Sequence, residues 1–537
     1  RRQAVHWIAR GTYPPPAPRH AACEHRTQRQ GPTVPSPTSM SSVRAATSPA
    51  SAAAAAARSA ALTRRVAGGS RGAHGRRAPR TATGAVASAD ASVDVAKVED
   101  AWIAGSLERC ASGAGVEALR SDAIASLARA RVPNSRVEDY RFTDLAPLII
   151  SKPVAADPAA AADVDVATWT LAAADATRVV LVDGAYSPER SDVTGAGKAG
   201  VVVSTVSLGA SSEVIGKVSA ARPGGAGVFA EMNAATASDA VVIDVPAGKA
   251  PSSPIHIVQL STSASTKDGE MSSSAPRVAV HVGEGASVSI VEEFAAAGGV
   301  LADGAYWHNG VCELVLEKGA KVTHTMVQAQ TRAAVHTRAT YLTQAEESEY
   351  KLAEINVGGK LGRHDLGVTQ LGPRTNTELA CFNLAGEGQC LDLHSKVTLD
   401  HEEGTTDQVH KCIVSAASGR GVFDGNVQVN RLAQRTDAGQ ISRNLLLVPK
   451  ATVNVKPNLQ IVADDVVCTH GCTVSDLEEE GLFYLQSRGL SPATARSLLV
   501  AGFGLEIVSK VAHDDLKGRV GSLVRASLDR DDVVLVA

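Results

Sequence analysis

The spacing of hydrophobic residues changes period twice along the chain. From Asp90 to about Ser151 it is helical. Val98, Trp102 and Ile103 recur within Val98–Leu107, and Leu119, Ile124 and Leu127 within Val116–Arg131. Residues three and four apart share a helix face, so both segments are predicted to be amphipathic helices. Pro133-Asn134-Ser135 breaks the pattern. The charged and aromatic stretch Arg136–Leu145 that follows is predicted to be a packing segment joining two domains rather than an active-site loop. Residues 153–175 are rich in Ala and Asp and read as a linker.

From about Thr177 the period becomes two. Arg178–Asp183, Val241–Val245, Ile255–Leu260, Arg277–Val282, Ser287–Glu292, Val311–Leu316 and Lys321–Gln328 carry Val, Ile or Thr, and many stop at Gly, Asn or Asp. The pattern runs to about Val467 through Lys396–Leu399, Asn426–Val429 and Thr452–Val455. Roughly 290 residues of short strands argue against a doubly wound α/β sheet, leaving a sandwich, a barrel or a β-helix. Val282-Gly-Glu-Gly-Ala-Ser-Val288 resembles Glu317-Lys-Gly-Ala-Lys-Val322, and Gly421–Val427 echoes both. A strand ending in a Gly turn with the next strand starting at once suits stacked coils, which favours the β-helix.

At Thr473 the helical period returns. Ser475-Asp-Leu-Glu478 fits a capping box. Leu477, Gly481, Tyr484 and Leu485 share one face, and Gly489 ends the helix. Ser491-Pro492 opens another, with Ala495, Leu498, Leu499, Gly502 and Phe503 on its apolar face. Such a stripe serves either a core or a docking partner. The predicted layout is an upstream segment and leader (1–89), a helical region (90–152), a linker (153–176), a β-helix core (177–467) and a C-terminal helical domain (468–537).

Composition adds a targeting signal. Residues 1–39 are read as lying upstream of a start at Met40, the first methionine. From Met40 to Ala89 there are eight Arg, no Lys and no acidic residue, with much Ser, Thr and Ala. A basic nucleic-acid-binding tail would share the charge. The abrupt return of acid at Asp90 favours an organelle transit peptide, for chloroplast or mitochondrion. The formal net charge of −3 hides an asymmetry, because residues 1–89 hold 14 Arg and one Glu, leaving 53 − 14 = 39 basic and 56 − 1 = 55 acidic residues, a body of −16. Such a body should repel nucleic acid and anionic membranes. Only 3% of residues are aromatic, which disfavours base stacking. No apolar run reaches the roughly 18–20 residues that span a bilayer.

Eight cysteines in 537 residues do not make a disulfide scaffold. Cys23 falls in the leader; Cys110, Cys312, Cys381, Cys390 and Cys412 read as small buried hydrophobes. Cys468, His470 and Cys472 differ, since in an extended strand all three point to one face. Thiolate and imidazole hold zinc, iron or iron–sulfur clusters, but three ligands fall short of the four in a structural zinc site. A fourth would come from elsewhere or from another chain. Inert thiols beside a turn are the competing reading. His364 and His394 read as hydrogen-bonded structural residues. Gly195-Ala-Gly-Lys198 is followed by Ala199 and Gly358-Gly-Lys360 by Leu361, so neither completes a phosphate loop. A β-helix enzyme acting on polysaccharide is the alternative function. It needs a carboxylate pair, for which Asp464-Asp465 beside Asp424 is the one candidate.

Long stretches resemble the SufB/SufD family of the SUF iron–sulfur cluster assembly system: Asp392–His401, Gly419–Val429, Gln434–Leu447, Lys456–Val474 and Glu479–Leu490, with Phe229–Gly248 and Pro133–Leu145 upstream. The short N-terminal helical region and the Cys-x-His-Gly phrase resemble the SufD branch, and the likeness covers nearly all of residues 95–510. The resemblance implies a right-handed parallel β-helix core between N- and C-terminal helical regions. It implies a non-catalytic scaffold that pairs with a SufB-like paralogue and docks a SufC-like ABC ATPase on its C-terminal helices. In this chain those helices would present Leu477, Tyr484, Leu485, Leu498, Leu499 and Phe503. It further implies a transient iron–sulfur cluster at the subunit interface, built with sulfur from a cysteine desulfurase, and no nucleotide on this chain. His470 matches the family's interface histidine and Cys468 its neighbouring cysteine. Cys472 departs from the pattern, where a small residue such as Ala is more usual, and stands as an additional candidate ligand. A plastid SUF system makes the chloroplast stroma the expected location.

Overall fold

The computed structural model describes residues 95–110, 116–157, 160, 164–210, 214–221, 225–263, 269–297 and 304–530. The leader read over 1–89, with Cys23, lies outside the described residues.

Helices α1 (Ala101–Cys110) and α2 (Glu117–Leu127) lead into a single turn, α3 (Ala146–Ile149). The helical-period residues Ile103, Leu107, Ile124 and Leu127 are buried, as expected. The segment predicted as a linker is tied down. Strand β1 (Lys152–Ala155) pairs in parallel with β7 (Glu270–Ser274), and Leu171 and Ala174 are buried. Small Ala side chains conceal that burial from a period search.

Next come β2 (Arg178–Val182), β3 (Ala185–Tyr186), β4 (Val202–Thr205) and β5 (Val241–Val245). Three helices interrupt them: α4 (Thr194–Lys198), α5 (Lys217–Ala221) and α6 (Val228–Thr236). The period-two pattern does not predict them. In α6, Phe229, Ala230, Met232, Asn233, Ala234 and Ala235 are all buried, and the half-buried Glu231 and Thr236 make too narrow a polar side to give a helical period. The glycine-lysine stretch of α4 packs against Ala176, whose carbonyl would sit 2.8 Å from a Cβ on Gly195.

After β6 (Ile255–Ser261) the chain repeats. One parallel sheet contains β8 (Arg277–Val282), β10 (Tyr306–Leu316), β12 (Val335–Gln344), β14 (Leu361–Gln370), β16 (Cys390–Leu399), β18 (Arg420–Val429) and β20 (Thr452–Ile461). The other contains β9 (Ser287–Ala296), β11 (Lys321–Ala329), β13 (Glu349–Asn356), β15 (Asn376–Ala385), β17 (Thr405–Val414), β19 (Thr436–Leu446) and β21 (Val466–Ser475). Consecutive strands alternate sheets, so each pair is one rung of a parallel β-solenoid of about seven turns. Gly285 and Gly319, in the two matching sequence phrases, take φ of +63° and +66° at the corners, where a side chain would be strained. Inside the first sheet Ile243, Val280, Leu314, Leu342, Val368, Val397, Val427 and Leu459 stack in one column. All but Leu459 are buried.

The N-terminal helices cover the outer face of the first sheet, where Trp307, Val335, Leu361, Cys390 and Val422 join their core. The stretch Arg136–Leu145 is indeed a packing segment. The Arg363 guanidinium stacks 3.9 Å from the Tyr140 ring centre, and Thr143 donates to the buried carboxylate of Asp392. The C-terminal helices α7 (Glu479–Ser487), α8 (Pro492–Val508) and α9 (Asp514–Arg530) fold back over the second sheet. Val500, Ile507, Leu516 and Val520 share a core with Ile355, Phe382 and Ile413. A Cβ on Gly504 would lie 2.8 Å from Phe382 Cζ, so glycine sets how closely α8 approaches. No helix among the described residues is long and apolar enough to cross a membrane.

Two expectations at this junction change. The predicted boundary at 467/468 cuts through β21, which continues to Ser475 because its residues still pair with β19. Ser475 is therefore a strand residue and not a helix cap. The N-cap of α7 is Glu478, whose side chain makes no capping bond. The second start holds: Ser491 Oγ accepts from the Thr494 amide at 3.1 Å, with Pro492 at the first helical position. Gly489, at φ +90°, ends α7 as expected.

Candidate functional site

The solenoid ends on β20 and β21, each paired on one side only. β21 continues the inward-facing columns of β19. Ala438 aligns with Cys468, Gln440 with His470 and Ser442 with Cys472. The expected common face is therefore real, and it is the face that elsewhere in the solenoid points into the core. Ala438, Gln440 and Ser442 are buried, whereas Cys468 is half-buried and His470 and Cys472 are exposed, because no further rung roofs them. Unpaired strand edges are templates for pairing with another chain.

The three side chains sit on different supports. Cys468 packs beside the main core and Asp437; partial burial and then that carboxylate push its thiol pKa up. Beneath His470, Gln440 donates to Gln408 at 2.8 Å, and its own Oε1 has no hydrogen-bond partner. Gln440 is the register partner of His470, one rung below. Beneath Cys472, the Ser442 hydroxyl meets His410 Nδ1 at 3.0 Å and accepts from Asn444 at 3.0 Å. Partial burial raises the Cys472 thiol pKa as well. Alternate residues on a strand stand roughly 6.5–7 Å apart, so one strand alone does not close a metal shell. Among the described residues the one group of three such side chains with ligand atoms within 4.8 Å of one another lies elsewhere, at Asp139, His394 and Asp424. That grouping spans register partners and a crossing turn, and no sequence spacing signals it.

The remaining cysteines match expectation: Cys110, Cys312, Cys381, Cys390 and Cys412 are buried, and burial raises each thiol pKa. His364 is held by Glu354 and Thr340, both at 2.9 Å. On the C-terminal helices the predicted faces divide. Leu477 and Phe503 pack against the solenoid, with Lys411 Nζ 4.2 Å from the Phe503 ring centre. Leu485 and Leu499 are half-buried, and Tyr484 and Leu498 are exposed. Phe483, 75% exposed, was not in the predicted stripe and adjoins Tyr484 on α7. An exposed aromatic pair is what a buried-face search passes over.

Comparison with known proteins places this architecture. Residues 263–503 match the profile described as SUF system FeS cluster assembly, SufBD core domain. An iron–sulfur cluster assembly SufBD family protein of Synechocystis is 35% identical over 415 residues, 75% of this chain and 89% of that protein. The chain belongs to the SufBD family. Protein ABCI7, chloroplastic, of Arabidopsis thaliana is 47% identical over 302 residues, covering 56% of this chain and 63% of that protein. The iron–sulfur cluster assembly protein SufD of Escherichia coli is 26% identical over 397 residues, 73% of this chain and 89% of that protein. The SufBD profile ends in α8 and so takes in the whole final rung with Cys468, His470 and Cys472. As a SufBD family member, the chain has a role in iron–sulfur cluster assembly.

Proposed function

We propose that this chain is a scaffold subunit that pairs with a SufB-like paralogue through its open final rung and holds a nascent iron–sulfur cluster, as cargo, between the two. The observation that carries this reading is the exposure of His470, beside a half-buried Cys468, on a face that the rung below buries. A second solenoid set against β20 and β21 would roof that face and supply the missing ligands. His470 is the principal ligand and Cys468 the second. Tyr484, Leu498 and the neighbouring Phe483 form the exposed apolar surface on which a SufC-like ATPase docks, the ATP being hydrolysed by that partner. A cysteine desulfurase supplies the sulfur. The chloroplastic name of the Arabidopsis relative and the Arg-rich composition of residues 1–89 support a plastid location, and the stroma is the compartment proposed within it.

The test is reconstitution of the complex from this chain, the paralogue and the ATPase with iron and a sulfur source. His470→Ala should reduce cluster yield by at least tenfold while the complex still assembles. Normal yield from the variant complex would sink the assignment of His470. Co-purification of neither partner would sink the scaffold reading.

A further inference from the structure

A second ligand constellation lies on the other sheet, where the N-terminal region crosses the solenoid. On the outer face of the first sheet, Asp365, His394, Asp424 and Lys456 occupy successive rungs of one column. Asp139, in the 3-10 turn Glu138–Tyr140, comes across to meet them. One ring nitrogen of His394 and one carboxylate oxygen from each of Asp139 and Asp424 lie within 4.8 Å of one another. They line a cavity of about 590 Å³, with room for water to complete a coordination shell.

The surroundings are built to hold the histidine. Asp392, fully buried, places Oδ1 3.0 Å from His394 Nε2. The two form an ion pair when the imidazole is protonated, and the carboxylate orients the ring when it is neutral. The other oxygen of Asp392 accepts from Arg363 at 2.7 Å and from Thr143, which fixes the carboxylate. A carboxylate behind a ligating imidazole is the common second-layer support of a metal site.

We propose that Asp139, His394 and Asp424 form a binding site for a divalent first-row transition ion, which pins the N-terminal segment to the solenoid. One imidazole and two carboxylates suit Zn²⁺, Mn²⁺, Fe²⁺ or Co²⁺ better than the all-oxygen preference of Ca²⁺ or Mg²⁺. Lys456 is the competitor. Its ammonium lies 3.3 Å from Asp424 Oδ2 but 2.5 Å from Glu138, so an arriving ion displaces only the longer contact. The site uses no residue of β21 and no sulfur, and it stands whether or not the final rung holds a cluster.

Co²⁺ is the probe, titrated into the chelator-treated full chain and followed by absorption and by thermal unfolding. Wild type should bind Co²⁺ without sulfur-to-cobalt charge-transfer bands and unfold at a higher temperature with the ion than without it. His394→Ala and Asp424→Asn should weaken binding at least tenfold. Asp139→Asn, on an exposed turn where folding is not at risk, should also abolish the thermal shift. Lys456→Met should tighten binding. A double variant Cys468→Ser, His470→Ala should leave this binding intact. Wild-type affinity in both Asp139→Asn and Asp424→Asn would overturn the proposal, as would loss of all Co²⁺ signal in the β21 double variant.

Discussion

The last two rungs carry the same inward columns and differ in what covers them. In β19, Thr436, Ala438, Gln440, Ser442 and Asn444 are buried in strict alternation, while in β21 their register partners Val466, Cys468, His470, Cys472 and Val474 are half-buried or exposed. Ladder pairing is equally regular in both. The side chains of β21 are therefore ordered by a fold that does not enclose them. Lower rungs spend these positions on stability, and the final rung leaves them available to a partner. Substitutions below should thus be costly to the fold, and substitutions above costly only to the assembly.

The sharpest test of the lower side is Phe423→Ala. Phe423 is fully buried on β18 and stacks 4.4 Å from the His410 ring. Truncation removes a whole ring from a dry column and should cost about 3–5 kcal/mol in denaturant unfolding. A cost below about 1 kcal/mol would mean that the lower rungs are as permissive as the last one.

Acid should act on the same interior. Burial pushes the pKa of both His308 and His410 from the ordinary 6.5 to about 3, so each is neutral in the fold. The unfolded chain takes up protons below about 6.5 that the folded chain refuses. Stability contributed by these groups is therefore complete above that pH and falls as pH drops toward 3, by up to about 1.4 kcal/mol per pH unit for each histidine. Unfolding midpoints measured between pH 7 and 4 should show this slope, and His410→Gln should make it shallower. A flat profile would show that water reaches the interior.

These two regions also differ in how far they can be read from sequence. Cys468, His470 and Cys472 lie along one strand, so strand alternation alone puts them on one face. Their exposure is invisible in the residues themselves, because it depends on β21 having no rung above it. The helical stripes of α1 and α2 are legible for the same local reason. The aliphatic column from Ile243 to Leu459 is legible only in part: each strand shows its own apolar residues, but the register between rungs is set by loops of unequal length. Asp139, His394 and Asp424 are not legible at all. Two meet through the pairing of β16 with β18, and the third arrives on a turn far upstream. The mostly buried α6 escapes because its narrow polar side gives too weak a period to find.

On the upper side, His470→Ala should change unfolding free energy by no more than about 0.5 kcal/mol, the usual range for an exposed position with no structural bond. Equal losses of stability in His470→Ala and Phe423→Ala would erase the distinction between the rungs. The contrast between an intact fold and a lost cluster separates a ligand from a structural histidine.

Cys472→Ala should have the smallest effect of all. The side chain is exposed, and the Ser442 hydroxyl beneath it is already engaged by His410 and Asn444. Removing a thiol there strands no donor or acceptor and opens no cavity, so both stability and cluster yield should stay at the wild-type level. Alanine is also the kind of small residue expected at this position from the resemblance. Cys468 offers the internal control, because it stands on the same face two register steps away but packs beside the core. If cluster yield falls in Cys472→Ala as far as in His470→Ala, with unfolding unchanged, Cys472 is a third ligand from this strand, and the partner has correspondingly fewer ligands to supply.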